Sequence, residues 1–173
     1  MKKDLAIIGG LLLLVILILI FGGGLSSMSF ISNKSKDATT LASSAANVKN
    51  DVNISIKDLS IKAKVASTDG QRGKGLSKIE SLPFDEGVLF VFDQKGRYPF
   101  WMKDMKFPID IIWIDENKKI VNITANALPE PRRPEKDLTI YDSSFDAKYV
   151  LEINAGLSKA NNLQVGDTAV FSL

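Results

Sequence analysis

The chain contains no cysteine and no histidine. Without cysteine there is no disulfide framework, no thiolate nucleophile and no thiolate zinc site. Without histidine there is no imidazole base and no Ser-His-Asp triad. Carboxylates, lysine, arginine, tyrosine and hydroxyls are the groups left to do chemistry. Length sets a second limit, because 173 residues make one ordinary domain with a tail and hardly two domains. The formal charge is +2. The mean hydropathy of +0.06 is high for a chain that is 24% charged, so part of it is markedly apolar.

That part is N-terminal. Leu5 to Phe21 holds only Leu, Ile, Val, Ala, Gly and Phe, and Gly22-Gly23-Gly24-Leu25 follows. At the helical rise, 5–25 spans about 31 Å, the thickness of a bilayer core. The reading is one transmembrane helix over 5–25 acting as an uncleaved anchor. The alternative is a signal peptide whose removal would leave a secreted protein, but such apolar regions run about 7–15 residues and end in a small-residue cleavage site. Lys2 and Lys3 in the short segment 1–4 keep that end cytoplasmic by the positive-inside rule, so the remainder lies outside the membrane. Residues 26–50, rich in Ser, Ala, Asn, Thr and Lys, read as a flexible linker.

Charge divides along the same boundary. Residues 1–50 carry +3, whereas 51–173 carry seventeen basic and eighteen acidic residues. The domain is therefore not basic, and nucleic acid is not an expected partner. The expected partners are the membrane, through the N-terminal helix, and an envelope ligand or protein.

From residue 51 the pattern is that of short strands. Val52–Ile56 alternates apolar and polar, the parity changes after Lys57-Asp58, and Leu59, Ile61, Ala63 and Val65 form the next apolar face, which is a hairpin. Further strands are expected at Val88–Phe92, Tyr98–Met102, Ile109–Ile114, Lys119–Thr124, Tyr149–Asn154 and Thr168–Leu173. Short helices are expected after a Thr68 cap, over Asp69–Lys74, and at Ser158–Asn162. The expected fold class is mainly β: a single antiparallel barrel or sandwich-like domain over 51–173 with one or two short helices.

Two regions draw attention as chemistry. Gly70-Gln71-Arg72-Gly73-Lys74-Gly75 looks like a phosphate loop but lacks the Ser or Thr after lysine and reads as a glycine-rich turn. Its Arg72 is a candidate partner for a carboxylate or an anionic ligand. Phe100 to Asp110 packs Trp101, Lys103, Asp104 and Asp110 into one stretch. Strand parity puts Asp110 on the face of Ile112 and Ile114, and Glu152 lies between Leu151 and Ile153. Both are candidate buried carboxylates that must be paired or protonated. They form either a structural ion-pair network with Arg72 or, as weak catalytic candidates, an acid/base pair. The expected binding mouth is Arg72, Trp101, Lys103, Asp104 and Asp110. No metal site and no cofactor is expected, since no Asp-x-Asp-x-Asp pattern occurs.

The blocks Gln71–Leu76, Gly87–Phe92, Phe100-Trp101-Met102-Lys103-Asp104 with Pro108-Ile109-Asp110, Val150–Gly156 and Gly166-Asp167 occur in order. Together they resemble the prokaryotic family called domain of unknown function 192, over about 52–173. The family usually continues its Phe-Trp-Met-Lys block with Asn-Thr, where this chain has Asp104-Met105. The resemblance implies a mainly β domain, often behind a signal peptide or anchor, with no established reaction. The leading expectation is a membrane-tethered, extracytoplasmic binding or assembly module. The alternative is an envelope hydrolase or lyase that uses Asp110 and Glu152.

Overall fold

The structure, a computed structural model, describes residues 51–173. The expected membrane helix and linker lie outside the described residues, and among those described no helix is long and apolar enough to cross a membrane.

Strands β1 (Asp51–Ile56) and β2 (Leu59–Ala66) form the antiparallel hairpin that the parity change predicts. Its turn residue Lys57 takes a left-handed φ of 51°. The chain then leaves the sheet through helix α1 (Asp69–Lys74). Thr68 caps α1, its hydroxyl accepting from the Gln71 N–H while the Gln71 side chain answers the Thr68 N–H. Strand β3 (Glu86–Gly96) returns parallel to β2, which a crossover of this length allows. Strands β4 (Ile109–Ile114) and β5 (Ile120–Ala127) form a second antiparallel pair. Strand β6 (Ala147–Asn154) then inserts between β3 and β4, and helix α2 (Leu157–Ala160) follows.

The sheet has six strands in the order β1-β2-β3-β6-β4-β5. The mainly β class with two short helices holds, but the antiparallel barrel does not. One pair is parallel, and the outer strands β1 and β5 do not pair with each other, so the sheet is not closed. The expected strand Thr168–Leu173 instead makes two isolated bridges, Val170 to Ser55 and Thr168 to Lys119. Each bridge goes to a different edge of the sheet, so neither grows into a ladder. The expected strand Tyr98–Met102 is likewise a loop with one bridge, Phe100 to Tyr141. Pro99 has no N–H to donate to a ladder, and Asp104 turns the chain with a φ of 57°.

Both faces of the sheet are covered, which is why all six residues of β4 are buried. One face packs Ile54, Ile56, Ile61, Leu89, Ile112, Ile114, Leu151 and Ile153 beneath Leu163, Ala169 and Phe171. The other packs Val88, Phe90, Ile109, Ile111, Trp113 and Val150 beneath Leu76, Met102 and Met105. At Gly87 two strands approach so closely that a Cβ would sit 2.7 Å from the Glu152 carbonyl oxygen.

Candidate functional site

Pairing register decides where the two candidate carboxylates point. On β6, Glu152 stands opposite Val88 of β3 on one side and Ile111 of β4 on the other. Paired residues share a face, so Glu152 lies in an apolar row on the face of Phe90 and Trp113. Asp110 pairs with Ile153 and faces the other way. The expected acid/base pair is therefore wrong in geometry, because the sheet separates its two members.

Asp110 is completely buried and saturated. Its Oδ1 accepts from the N–H groups of Asn126 (2.8 Å) and Gly156 (3.1 Å), and its Oδ2 from the Ser158 N–H (2.9 Å) and hydroxyl (2.6 Å). This carboxylate ties β4 to β5 and to the start of α2. It has no access to a ligand and drops out of the expected mouth.

Glu152 is the reverse case. It is only 5% exposed, and among the described residues its Oε2 has no hydrogen-bond partner. Burial pushes its pKa from the ordinary 4.5 up to about 8, against a weaker downward pull from the Leu76 N–H. At neutral pH it is a neutral carboxylic acid with one oxygen unsatisfied. Among the described residues it is the one buried side chain in that condition.

Glu152 lines a cleft of about 190 Å³, with Oε2 buried just beneath its surface. The end of α1 and the turn after it supply Arg72, Lys74 and Gly75; β3 supplies Phe90 and Phe92; and the loop before β4 supplies Tyr98, Phe100, Trp101 and Lys103. Gly75 has a φ of 43°, and a Cβ there would lie 3.0 Å from Phe90 Cζ and 3.4 Å from Glu152 Oε2. Glycine alone suits both this backbone conformation and this close packing. Phe92 and Tyr98 stack with centroids 3.4 Å apart, and Phe100 meets Phe90 edge-on at 4.8 Å. The buried Trp113 donates its indole N–H to the Tyr98 carbonyl at 3.0 Å, fastening the aromatic loop to β4.

The basic side chains of the rim are largely engaged already. Arg72 donates to the carbonyls of Ser67 (2.5 Å) and Val91 (2.9 Å), pairs with Asp69 and lies over the Phe92 ring at 5.3 Å. It clamps α1 to β3 and walls the cleft in doing so. Lys103 pairs with Glu135, whose hydrogen bond and charge raise the lysine above its ordinary value. Asp104 is displaced from the cleft, lining a separate groove of about 480 Å³ beside Lys78 and Arg132. The structure thus brings together Arg72, Trp101, Lys103 and Glu152, and leaves Asp104 and Asp110 elsewhere.

Phe90 and Phe92 belong to the apolar cluster of this face and serve partly as cleft wall. Trp101 is 47% exposed and is no core residue at all. The sequence signal for the wall was the density of aromatics before Pro108, and the signal for its opening was the glycine-rich turn. Among the described residues no group of three acidic side chains could hold a metal ion.

The fold and cleft can now be set beside known proteins. The family model described as "DUF192: Uncharacterized ACR" matches residues 52–171. The chain belongs to this family. A crystal structure of a proposed transcription regulator from Sinorhizobium meliloti is similar at 29% identity and a TM-score of 0.62, covering 70% of this chain and 92% of that one. One of a protein of unknown function from Novosphingobium aromaticivorans is similar at 28% identity and a TM-score of 0.61, covering 69% and 83%. No curated protein matches the chain.

Proposed function

We propose that this protein is a non-catalytic binding module held outside the cytoplasmic membrane by its N-terminal apolar segment. The observation that carries the binding half is Glu152, a buried carboxyl group with an unpartnered oxygen among the described residues, at the floor of an aromatic cleft. Leaving such an oxygen unsatisfied costs about 1–3 kcal/mol, which a ligand that hydrogen-bonds to it recovers. Against the two-carboxylate reaction stands the separation of its members, since Asp110 lies on the opposite face of the sheet from Glu152. The tether is supported by the uninterrupted apolar run from Leu5 to Phe21 behind Lys2 and Lys3. A regulator's role on DNA, suggested by the description of the rhizobial relative, finds no support in a domain with slightly more acidic than basic residues.

Two measurements test the two halves. In cells expressing the full chain, the protein is expected in the membrane pellet, and protease added outside spheroplasts is expected to digest it. Recovery in the soluble cytoplasmic fraction refutes the tether. Purified full chain is expected to sediment with isolated cell-envelope material, and Trp101→Ala to sediment much less. Equal recovery of the two proteins refutes the cleft as the binding surface.

A further inference from the structure

We propose that the cleft is a subsite for one pyranose ring of a glycan, with a ring hydroxyl hydrogen-bonded to Glu152 Oε2 and the ring's C–H face against the aromatic wall. This rests on reading the cleft as a binding site and names what it binds.

Size comes first. At about 190 Å³ the cleft is smaller than the roughly 300–1,000 Å³ of sites that enclose a drug-sized molecule. It takes one ring-sized group, and the rest of a longer ligand stays outside.

The floor selects the chemistry. A neutral carboxyl oxygen needs an acceptor for its proton, and an ionised one needs a donor. A hydroxyl does both from a single atom, so it satisfies Glu152 Oε2 in either state. An amide also donates and accepts, but from opposite ends of its C–N bond, and serves one buried oxygen less well. A cation is disfavoured by the positive charges of Arg72, Lys74 and Lys103 around the opening. A lone anion is not demanded either, because Arg72 and Lys103 are paired with Asp69 and Glu135.

The walls agree with the floor. Aromatic faces carry negative charge density and attract the polarised C–H groups of a sugar ring. Trp101, half exposed at the rim, offers such a surface. Gly75 leaves a thin cover over Oε2, where a Cβ would lie 3.4 Å from that oxygen, so a small shift of this turn admits a hydroxyl that any side chain there would block.

The test is saturation-transfer NMR on the purified full chain in a detergent without a sugar headgroup. The probes are glucose, N-acetylglucosamine and, as the peptide arm, N-acetylalanine methylamide. At least one sugar is expected to bind in the millimolar range, with saturation strongest on its ring C–H protons. Glu152→Leu and Gly75→Ala are each expected to weaken it about tenfold or more, the equivalent of losing one hydrogen bond to a buried group. Lys95→Ala, remote from the cleft, is expected to leave it unchanged. If Glu152→Leu does not fold, Gly75→Ala decides the matter by itself. Absence of sugar binding, or sugar binding that survives every cleft variant that folds, overturns the proposal. Glu152-dependent binding of the amide alone overturns the sugar while the binding cleft stands. If no probe binds and envelope sedimentation is also indifferent to Trp101, both readings fall together.

Discussion

Asp110 and Glu152 sit on neighbouring strands of one sheet and are nearly equally buried, yet the two faces treat them in opposite ways. On the face toward α2, four donors converge on Asp110 because the chain turns there twice, at the end of β5 and at Gly156. On the face toward α1, Glu152 lies between two aliphatic side chains beneath the floor of a cleft. A carboxylate surrounded by backbone N–H groups is an element of architecture. A carboxyl group buried with an oxygen unsatisfied costs stability, and its retention makes sense where a ligand completes it.

The largest break in this contrast comes from Asp110→Asn. The amide has one acceptor where the carboxylate has two, and it turns an N–H₂ group toward donors. We expect a loss of about 4 kcal/mol or failure to fold, read from the denaturant midpoint. A loss below about 1 kcal/mol would falsify the architectural role.

The second effect concerns pH. The unfolded chain releases the Glu152 proton near 4.5, whereas the folded chain keeps it until about 8. Between those values the folded state binds more protons, so this group's contribution to stability is complete below pH 4.5 and declines as pH rises through 8. A few kcal/mol are at stake across that window. Glu152→Gln removes the dependence. Thermal melting of both proteins from acid to alkaline pH is expected to give a flatter profile for the variant and its largest relative gain above pH 8. Parallel profiles would place an ionised Glu152 in the folded protein at neutral pH.

A smaller effect is expected at Gly75→Ala. A φ of 43° and a Cβ 3.0 Å from Phe90 Cζ together cost about 1–2 kcal/mol, checked by chemical denaturation. Smallest is Lys95→Ala, which breaks an exposed pair with Glu116 at 2.9 Å. No measurable change in melting temperature is expected, and a clear one would show that surface charge weighs more in this fold than the contrast between faces allows.

Much of the local structure was legible in advance. The alternation over Val52–Val65 places the hairpin, and Thr68 announces the cap of α1. The run Ile109–Ile114 matches β4 end to end. Both buried carboxylates were also visible as acidic residues among branched aliphatics. Of the expected mouth, Arg72, Trp101 and Lys103 line the cleft, beside Glu152, which the sequence offers only as a weak catalytic candidate. Those wrongly grouped with them were Asp104 and Asp110, which adjacency in the chain joined to Trp101 and the fold set apart. The composition of the aromatic block suits a strand, yet Pro99 and the turn at Asp104 leave it as the loop that walls the cleft.

The sequence by itself determined the excluded chemistries, the apolar N-terminal run and the parity of each strand. These depend on residue type and on spacings of two to four positions, over which backbone geometry is local. Only the tertiary structure decided that β3 runs parallel to β2, that the sheet stays open, and that β6 enters between β3 and β4. That insertion pairs Asp110 with Ile153 and Glu152 with Ile111, and so sends two similar acids to opposite faces. Parity says which residues of a strand share a face. Which face meets the cleft is set by the packing of segments far apart in the chain.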